Sequence, residues 1–407
     1  MKKLALHWKI LIALILGVVL GMWLPEYVKY ISWMGDLFMR ALKMVIIPLI
    51  LTSIISGIVN IGSLKKLGKI GLKTISYYIA TSLFAIVIGL FMVNLLKPGV
   101  GADLGFVSEV EGLALAKESF GQTLINIIPT NVVQAMVENQ MLSVIFFAIL
   151  VGLFITNISK KHKKLYIKLF NGGFELMMKI TEFVIKFTPF GVFGIVALQV
   201  AQQDDLTEVA GRLGLYMVAV ILALIIHSCI TLPLILKLVG KINPLSHIRA
   251  MSVPLLTAFS TSSSSATLPL TMEAVEHKAG ASNKITSFVL PLGATINMDG
   301  TALYECIAAI FIAQAYGIDL SFGEQIIVVI TALLASIGAA GIPMAGLVMI
   351  TVILSAVNLP LEGVGLILAV DRILDMFRTS VNVWSDSCGT VVIAKSEGEH
   401  LHYNHKK

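Results

Sequence analysis

The stretch from Asp371 to Asp386 most constrains the fold, because it places five charged side chains in an otherwise apolar chain. With about 100° of rotation per residue in an α-helix, most of its polar residues share one face; they are Asp371, Asp375, Arg378, Asn382 and Asp386. A charge at the centre of a bilayer costs about 3 kcal/mol on insertion scales, so such residues face a protein interior or a water-filled cavity. The stretch predicts a functional helix face inside a membrane protein. The alternative is a helix at the border of a soluble core, with its charges in water.

The composition is that of a membrane protein with several spans. Of the 407 residues, 57% are hydrophobic and 13% are charged, against about 25% charged in soluble domains. The net charge of +6 lies mainly in short loops between apolar runs, so it reflects topology, and we expect no nucleic-acid partner. No small-residue cleavage site follows the apolar run that ends at Leu24, which favours a first spanning helix over a signal peptide.

Apolar runs of about 20 residues, the length that crosses a bilayer, predict six spans in the first part of the chain. They lie at 7–24, 35–60, 70–97, 121–157 with a break, 166–199 and 207–239. Lysines cluster after the second and fourth spans, whereas acidic residues follow the fifth; the lysines are Lys65, Lys66, Lys69, Lys73, Lys160, Lys161, Lys163 and Lys164. By the positive-inside rule the amino terminus is cytoplasmic.

Polar segments interrupt the apolar runs after Gly240. They are 260–265, which is rich in serine, 297–301, with the sequence Asn-Met-Asp-Gly-Thr, and 335–343, which is rich in glycine and alanine. Non-helical backbone occurs at membrane depth only where protein or a water-filled cavity satisfies its polar groups, and the ends of broken helices bind ions and anionic groups. A flexible linker and a surface turn are the alternatives, which the flanking prolines and apolar residues disfavour. Each segment is therefore a candidate binding site.

With these motifs the chain resembles the glutamate/aspartate transporter family, the dicarboxylate/amino acid:cation symporters, over nearly its whole length. Four motifs in order carry the resemblance; they are Ser262–Ser265, Asn297–Thr301, Ala335–Gly338 with its continuation to Pro343, and Asp375–Asp386. The family implies an all-α membrane protein with eight transmembrane helices and two re-entrant helical hairpins, here at about 243–275 and 323–356. It also implies a homotrimer in a lipid bilayer, with both termini on the cytoplasmic side of the cell membrane.

The resemblance further implies a scaffold and a transport domain that moves like an elevator. The scaffold would consist of helices 1 and 2 in residues 1–69 and helices 4 and 5 in residues 121–206. The transport domain would consist of residues 70–120, with helix 3 and the loop after it, and residues 207–407. That last part would hold helix 6, the two hairpins, helix 7 at about 282–316, helix 8 at about 363–394 and the cytoplasmic tail.

Substrate contacts follow from the resemblance, beginning on the last helix. Arg378 would pair with the side-chain carboxylate of an acidic amino acid, which suits a planar guanidinium able to make two parallel hydrogen bonds. Asp375 would take the α-ammonium group. Further contacts would come from the hairpins and from helices 7 and 8; they are Ser263, Ser264, Thr301, Thr379, Asn382 and the backbone of Ile342 to Gly346. A hydrogen bond to the local backbone is the alternative for each hydroxyl.

Three sodium sites built from oxygen ligands also follow from the resemblance. The first joins the Asp386 carboxylate to backbone carbonyls; these belong to Gly293, Asn297 and Asn382. The second joins Asp299 and Asn297 to hydroxyls on the third helix; these belong to Tyr78, Thr81 and Ser82. The third is made mainly of carbonyls; these belong to Thr295, Met298, Ser336, Ile337 and Ala339.

Two residues differ from the best-known archaeal relatives. Those relatives carry an arginine beside the hairpin serines, where this chain has Ser262, and animal relatives carry one at the position of Met376. Arg372 lies one turn before Met376 and is a candidate for supplying that charge; an i,i+3 contact with Asp375 is the alternative. Glu305 stands where proton-coupled animal relatives have glutamate and sodium-only relatives have glutamine, so it is the candidate carrier of a co-transported proton.

The sequence therefore predicts a secondary-active symporter, not an enzyme, that imports L-glutamate, L-aspartate or both with sodium, and with a proton as the candidate second ion. A C4-dicarboxylate:cation symporter is the alternative, distinguished by Asp375, to which a substrate without an ammonium group would offer no partner. An ion channel fits interrupted helices around an ion-paired site less well. The preference between aspartate and glutamate depends on one methylene group, and the sequence leaves it open.

The histidines give no sign of an intramembrane enzyme, which would need a nucleophile beside a base or a metal cluster. His227, His247 and His277 are dispersed, so we expect them to be structural or at the cytoplasmic surface. The tail histidines are expected to be solvated, with a weak metal site as the alternative; they are His400, His402 and His405.

Overall fold

The computed structural model describes residues 6–64, 69–101, 125, 127–138, 140–201, 206–338 and 345–402, and all regular secondary structure in them is helical. In the first part of the described chain the helices are Leu6–Trp23 (α1), Trp33–Leu64 (α2), Lys69–Leu96 (α3), Val132–Val137 (α4), Met141–Ile155 (α5), Lys160–Ile185 (α6) and Thr188–Ala201 (α7). A 3₁₀ segment, Pro25–Tyr30, joins α1 to α2.

Helices also make up the second part, with π-helical turns in two places. They are Leu206–Ile226 (α8), the π turn His227–Thr231, Leu232–Leu238 (α9), Pro244–Ala250 (α10), Ser252–Thr261 (α11), Ser264–Glu273 (α12), the π turn Ala274–Ala279, Asn283–Ile296 (α13), Asp299–Ala315 (α14), Phe322–Gly338 (α15), Ala345–Ala356 (α16), the 3₁₀ turn Leu361–Gly363 and Val364–Ser396 (α17).

Pro189 marks a helix break that the sequence analysis missed. The prediction of one helix at 166–199 is wrong, because α6 and α7 occupy this region and Pro189 is the second residue of α7. Proline lacks an N–H to donate and disfavours helical backbone at the residue before it, yet it fits the first turn of a new helix. The break predicted within 121–157 is present, since α4 ends at Val137 and α5 begins at Met141.

The serine-rich segment forms the tip of a helical hairpin made of α11 and α12. Ser262 has a positive φ of 51° between the two helices, and its backbone N–H still donates to the carbonyl of Ala258. The Ser263 side chain then caps α12 by accepting a hydrogen bond from the Ala266 N–H at 3.1 Å. Such a cap satisfies an N–H that has no intrahelical partner. The second helix pair, α15 and α16, packs together, and its connection, residues 339–344, lies outside the described residues.

Three helical stretches among the described residues are long and apolar enough to cross a membrane; they are Lys69–Leu96, Ala210–Leu238 and Asn283–Ala315. Large apolar side chains on α3 are exposed, among them Leu72, Phe91 and Leu95. Exposed apolar surface of this extent suits contact with lipid rather than with water. The count of eight spans remains a prediction.

Helix α14 lies at the centre of the fold. Every residue from Asp299 to Ala313 is buried, and the helix packs against α3, α8, α15 and α17. Helix α17 in turn packs against α11 and α13. Asn297 and Met298 separate α13 from α14, as the polar segment at this point predicts. The broken helix is therefore held between α3 and α17, the helices that carry most of the other predicted polar residues.

Candidate functional site

The polar face of α17 is buried, as the sequence predicts; its functional role stays a prediction. Its members are at most 4% exposed; they are Asp371, Asp375, Arg378, Asn382 and Asp386. The side chain of Arg372, to one side of this face, is 17% exposed. A helix at the border of a soluble core would hold these charges in water, so that alternative is wrong. Buried charges are costly unless they are paired and hydrogen-bonded.

Arg378 lies between two carboxylates and an aromatic ring. Its Nε donates to Asp375 Oδ1 at 2.8 Å, and its Nη1 donates to Asp371 Oδ1 at 3.0 Å. The Tyr304 hydroxyl donates to the same Asp371 oxygen at 2.5 Å, and the guanidinium carbon lies 4.2 Å from the centroid of the Tyr304 ring, a cation–π distance. Nη2 is buried and has no hydrogen-bond partner among the described residues. This end of the guanidinium is available to an anionic ligand.

Asn382 joins the start of α14 to α17. Its Oδ1 accepts hydrogen bonds from the backbone N–H groups of Gly300 at 2.8 Å and Thr301 at 3.3 Å. Its Nδ2 donates to Thr301 Oγ1 at 3.0 Å. A side chain at Gly300 would collide with the backbone of Arg378, so glycine allows the two helices to approach. Asn382 and Thr301, both predicted to bind substrate, are thus brought together beside the arginine.

The second hairpin reaches Arg378 through Gly346. A Cβ atom at Gly346 would lie 3.1 Å from Thr301 Cγ2 and 3.2 Å from Arg378 Nη1. The second hairpin therefore approaches the arginine at the start of its second helix, and the predicted contact of its backbone with substrate stays a prediction. Ile342, the other end of the predicted backbone segment, lies outside the described residues.

The first hairpin packs along α17. The rings of Phe259 and Phe377 meet edge to face with centroids 5.1 Å apart, and Ser380 Oγ donates to the Leu255 carbonyl at 3.2 Å. The predicted substrate ligands in these two elements are buried; they are Ser263, Ser264 and Thr379. The Ser263 hydroxyl caps α12, so for this residue the alternative of a local backbone bond applies.

Asp386 lies beside the break between α13 and α14. Its Oδ1 accepts a hydrogen bond from Asn297 Nδ2 at 2.9 Å. A Cβ atom at Gly293 would collide with this oxygen and lie 2.7 Å from the Tyr78 hydroxyl oxygen, so the missing side chain leaves room around the carboxylate. The structure brings Asp386, Asn297 and Gly293 of the first predicted cation set together. It also places Tyr78, predicted for the second set, next to the first.

Asp299 lies at the start of α14 and faces α3. Ser82 Oγ donates to Asp299 Oδ1 at 2.6 Å, and Thr81 Oγ1 lies 3.3 Å from both Asp299 Oδ1 and Asn297 Oδ1. All four side chains are buried. Convergent oxygens around a buried carboxylate at a helix break suit a cation. Four members of the second predicted set are thus brought together, whereas the Tyr78 hydroxyl donates to the Val289 carbonyl at 2.7 Å.

Two further residues contact Asp299, and the sequence analysis missed both. His227, in the π turn after α8, is fully buried, and its Nε2 lies 3.1 Å from Asp299 Oδ2. Ser385 Oγ donates to the same oxygen at 2.5 Å. Of the two expectations for His227, burial excludes a position at the cytoplasmic surface, and the contact with Asp299 is compatible with a structural role. The signal in the sequence is that His227 is the one basic residue in the apolar run 213–236.

The third predicted cation set falls partly outside the described residues, because Ala339 is not among them. Met298 and Ser336 are buried, Ile337 is half-buried and Thr295 is exposed. Helices α13 and α15 are in contact, so these carbonyl groups belong to one region. Their role as ligands stays a prediction.

Glu305 is fully buried on α14, and neither of its carboxylate oxygens has a hydrogen-bond partner among the described residues. A carboxyl in such surroundings needs either a proton or a counter-ion. Arg372 makes the i,i+3 contact with Asp375, with Nη1 3.5 Å from Asp375 Oδ2. Asp375 thus has one guanidinium near each of its two oxygens.

The other histidines considered in the sequence analysis differ in their burial. His247 is fully buried, with Nε2 3.2 Å from Ser387 Oγ, and His277, His400 and His402 are exposed. His405 lies outside the described residues. Among the residues that the structure describes, no three His, Cys, Asp or Glu side chains form a group that could hold a metal ion.

Known proteins match the chain along its whole length. The model of the sodium:dicarboxylate symporter family matches residues 6–396. The proton/sodium-glutamate symport protein of Geobacillus stearothermophilus is 36% identical over 100% of this chain and 97% of its own. The proton/glutamate-aspartate symporter of Escherichia coli is 36% identical over 97% of this chain and 93% of its own. Human excitatory amino acid transporter 3 is 36% identical over 96% of this chain and 85% of its own.

These matches cover the polar segments, the broken helix and the charged face of α17 together. They confirm the resemblance drawn from the four motifs, and they identify a membrane transporter rather than an enzyme. The chain belongs to the sodium:dicarboxylate symporter family.

Proposed function

We propose that the protein is a secondary-active symporter that imports L-glutamate, L-aspartate or both, driven by sodium, with a proton as the second coupling ion. The observation that carries the proposal is the buried Arg378, whose Nη2 has no partner among the described residues while Asp371 and Asp375 hold its Nη1 and Nε. The bacterial relatives are named as a proton/sodium-glutamate symport protein and a proton/glutamate-aspartate symporter, and these names agree with the proposal.

An acidic amino acid fits the charges around Arg378. Its side-chain carboxylate pairs with the guanidinium, because a charge-assisted bond to Nη2 satisfies a buried donor. Its α-ammonium group binds the Asp375 carboxylate. Because this carboxylate already contacts Arg372 and Arg378, the ammonium group must either share a carboxylate oxygen with one of the arginines or displace that arginine. The two arginines balance Asp371 and Asp375. A substrate with net charge −1 therefore enters a nearly neutral site and needs cations for compensation.

Uptake of a C4-dicarboxylate is the second candidate function, and the geometry of Asp375 keeps it open. From the sequence alone, a substrate without an ammonium group offers Asp375 no partner. In the structure Asp375 Oδ1 accepts from Arg378, and Asp375 Oδ2 lies 3.5 Å from Arg372, so the carboxylate is paired without an ammonium group. The two substrate classes must therefore be separated by experiment.

Sodium coupling rests on Asp299 and Asp386. Both carboxylates are buried beside a helix break, where bound sodium compensates their charge. The hydroxyls of Thr81 and Ser82 keep oxygen lone pairs for a cation while they contact Asp299. Because Asn382, a ligand candidate for both sodium and substrate, also bonds the start of α14, cation and substrate binding favour one another through shared groups.

Proton coupling rests on Glu305, on the same helix as Asp299. Its two oxygens have no hydrogen-bond partner among the described residues. A carboxyl so placed crosses the membrane at lower cost when it carries a proton. Glu305 thus supplies the proton site for one step of the transport cycle.

The assembly that we propose is a homotrimer of scaffold and transport domains in a lipid bilayer, working by an elevator movement, with both termini in the cytoplasm. Helix packing supports the division. Helix α2 packs against α5, α6 and α7, and α1 packs against α7, all within the proposed scaffold. Helices α3, α8, α14 and α17 pack against one another within the proposed transport domain.

The first experiment is uptake into proteoliposomes with an imposed sodium gradient, proton gradient or both. Radiolabelled L-aspartate, L-glutamate and succinate are compared. Sodium-dependent uptake of the amino acids, blocked by unlabelled acidic amino acid, is the expected result. Uptake of succinate but of neither amino acid would establish the dicarboxylate function, and uptake with protons alone would exclude the sodium sites.

A further inference from the structure

Ser385 lies between the two acidic side chains that carry the proposed sodium sites. The residue is fully buried, and its Oγ donates to Asp299 Oδ2 at 2.5 Å while accepting a hydrogen bond from Asn297 Nδ2 at 3.0 Å. The same Asn297 nitrogen donates to Asp386 Oδ1 at 2.9 Å. An unbroken chain of hydrogen bonds thus runs from Asp386 through Asn297 and Ser385 to Asp299.

The donors around Asp299 divide its two oxygens between different roles. Oδ2 faces Ser385 Oγ and His227 Nε2, at 2.5 and 3.1 Å. Oδ1 faces Ser82 and Thr81, the hydroxyls predicted to bind a cation. Both oxygens have protein partners, but the partners of Oδ1 are hydroxyls whose oxygen lone pairs can also bind a cation, so Oδ1 is the oxygen on the side of the sodium site. His227 and Ser385 hold the opposite oxygen and thereby help to orient Asp299.

Asn297 has no spare hydrogen in this arrangement. Its two amide hydrogens are directed at Ser385 and Asp386, and its Oδ1 lies 3.3 Å from Thr81 Oγ1. If the Asn297 amide rotates to follow a movement of one carboxylate, it therefore breaks its hydrogen bond on the side of the other carboxylate. Without the Ser385 hydroxyl, Asn297 and Asp299 would lose their link through Ser385, while each carboxylate would keep its predicted ligands.

We propose that Ser385 is a positioning residue that couples the two sodium sites, with His227 as the second donor that fixes Asp299. This inference rests on the proposed sodium-driven function. Sodium bound at Asp386 orients Asn297, which orients the Ser385 hydroxyl and so prepares Asp299 for the next cation. Binding at one site then lowers the sodium concentration needed at the other.

Ser385→Ala tests the link against Ser387→Ala as the matched control. Ser387 is equally buried on the same helix, but its Oγ donates to the Trp384 carbonyl at 2.8 Å and lies 3.2 Å from His247. In proteoliposomes we expect Ser385→Ala to lower the Hill coefficient for sodium. We also expect it to raise the sodium concentration that gives half-maximal uptake (half-saturating sodium) at least about fivefold, which is the lower end of typical coupling effects. Substrate affinity at saturating sodium and the Ser387→Ala variant should be unchanged.

A second pair of variants tests the other donor. His227→Gln keeps an N–H group that can reach Asp299, whereas His227→Leu removes it; His247→Leu is the control at another fully buried histidine. We expect half-saturating sodium to rise in His227→Leu and to recover toward the wild-type value in His227→Gln. A structural role alone would not produce recovery of sodium affinity by an amide.

Protein stability gives a readout that needs no transport. Sodium that binds the folded state raises the unfolding temperature, so the dependence of that temperature on sodium should be shallower in Ser385→Ala. If this variant does not fold, Ser385→Cys replaces the hydroxyl by a weak donor of similar shape and should show the same change. An unchanged Hill coefficient and half-saturating sodium in folded Ser385→Ala would overturn the inference. If neither the uptake nor the unfolding temperature of the wild-type protein depended on sodium, the proposed function itself would be overturned.

Discussion

Tyr304 contacts Arg378 in two ways, through its ring and through a carboxylate that both residues share. The ring lies 4.2 Å under the guanidinium carbon, and the hydroxyl donates to the Asp371 oxygen that also accepts from Arg378 Nη1. The tyrosine therefore fixes both the plane of the guanidinium and the partner of one of its nitrogens. Arg378 is left with Nη2 as its unpaired nitrogen among the described residues.

Tyr304→Phe should weaken binding of the acidic amino acid about fivefold or more. The substitution keeps the ring but removes one donor from a buried carboxylate, which costs about 1–3 kcal/mol. Equilibrium binding of radiolabelled substrate at saturating sodium measures the effect. Tyr316→Phe, just beyond the other end of α14, is the control and should bind as the wild type does. Equal affinities in the two variants would show that the hydroxyl does not position Arg378.

Arg372→Ala should lower substrate affinity about fivefold if the arginine supplies charge to the substrate site. Loss of an i,i+3 pair alone is worth about 0.2–0.5 kcal/mol, which is less than about a threefold change. Arg372→Lys should retain most of the affinity, and Arg249→Ala, at an exposed residue on α10, should have no effect. Unchanged substrate affinity and transport rate in Arg372→Ala would mean that Arg372 supplies no charge to the substrate site and only makes its i,i+3 contact with Asp375.

Glu305→Gln should abolish the stimulation of uptake by a proton gradient while sodium-driven uptake persists. The amide keeps the size of the side chain but cannot gain or lose a proton. The measurement is uptake into proteoliposomes over a series of external pH values. Glu324→Gln, in the first turn of α15, is the control. If uptake depended on pH in the same way in Glu305→Gln and in the wild type, Glu305 would not be the carrier of the co-transported proton.

Gly293→Ala should raise half-saturating sodium about tenfold. The new Cβ atom would collide with Asp386 Oδ1 and lie 2.7 Å from the Tyr78 hydroxyl, and such overpacking costs about 1–3 kcal/mol. Gly214→Ala, in α8, is the matched control because a Cβ atom there meets nothing within 4 Å. Sodium dependence of substrate binding measures both variants. An unaltered sodium dependence in Gly293→Ala would separate Gly293 from the Asp386 site.

Glu397→Gln should lower the unfolding temperature slightly at pH 7 and not at all in acid. The hydrogen bond from Lys73, together with the positive charges of Lys73, Lys69 and Lys284, lowers the pKa of Glu397 below its ordinary value of 4.5. A carboxyl with a lowered pKa stabilises the folded state above its ordinary pKa, and that contribution is lost as the pH falls through the folded value.

The measurement for Glu397 is the unfolding temperature in detergent between pH 7 and the acid range below 4.5. The difference between wild type and Glu397→Gln should shrink as the pH drops. Glu26→Gln, at an exposed residue of the 3₁₀ segment, controls for removal of an acidic group. A difference that stays constant with pH would mean that the contact between α3 and the end of α17 does not depend on charge.

The sequence predicts those parts of the fold and site that leave a local signal. The charges of α17 predict its buried face, and the Asn297–Met298 pair predicts the break before α14. Pro189 carried a signal for the break between α6 and α7 that the length of the apolar run obscured. His227 and Ser385 carried almost none, because a single histidine in an apolar helix and a serine within a helix are common in packed cores. Their contacts with Asp299 arise only when α8, α14 and α17 meet.

Arg378 takes both of its carboxylate partners, Asp371 and Asp375, from its own helix. Its positive charge and the two compensating negative charges therefore form one covalently linked unit. A rigid-body displacement of α17 would therefore carry all three charges together, and none would be separated from its neutralising partner in a medium of low dielectric constant. Without a ligand, the site thus holds no uncompensated guanidinium.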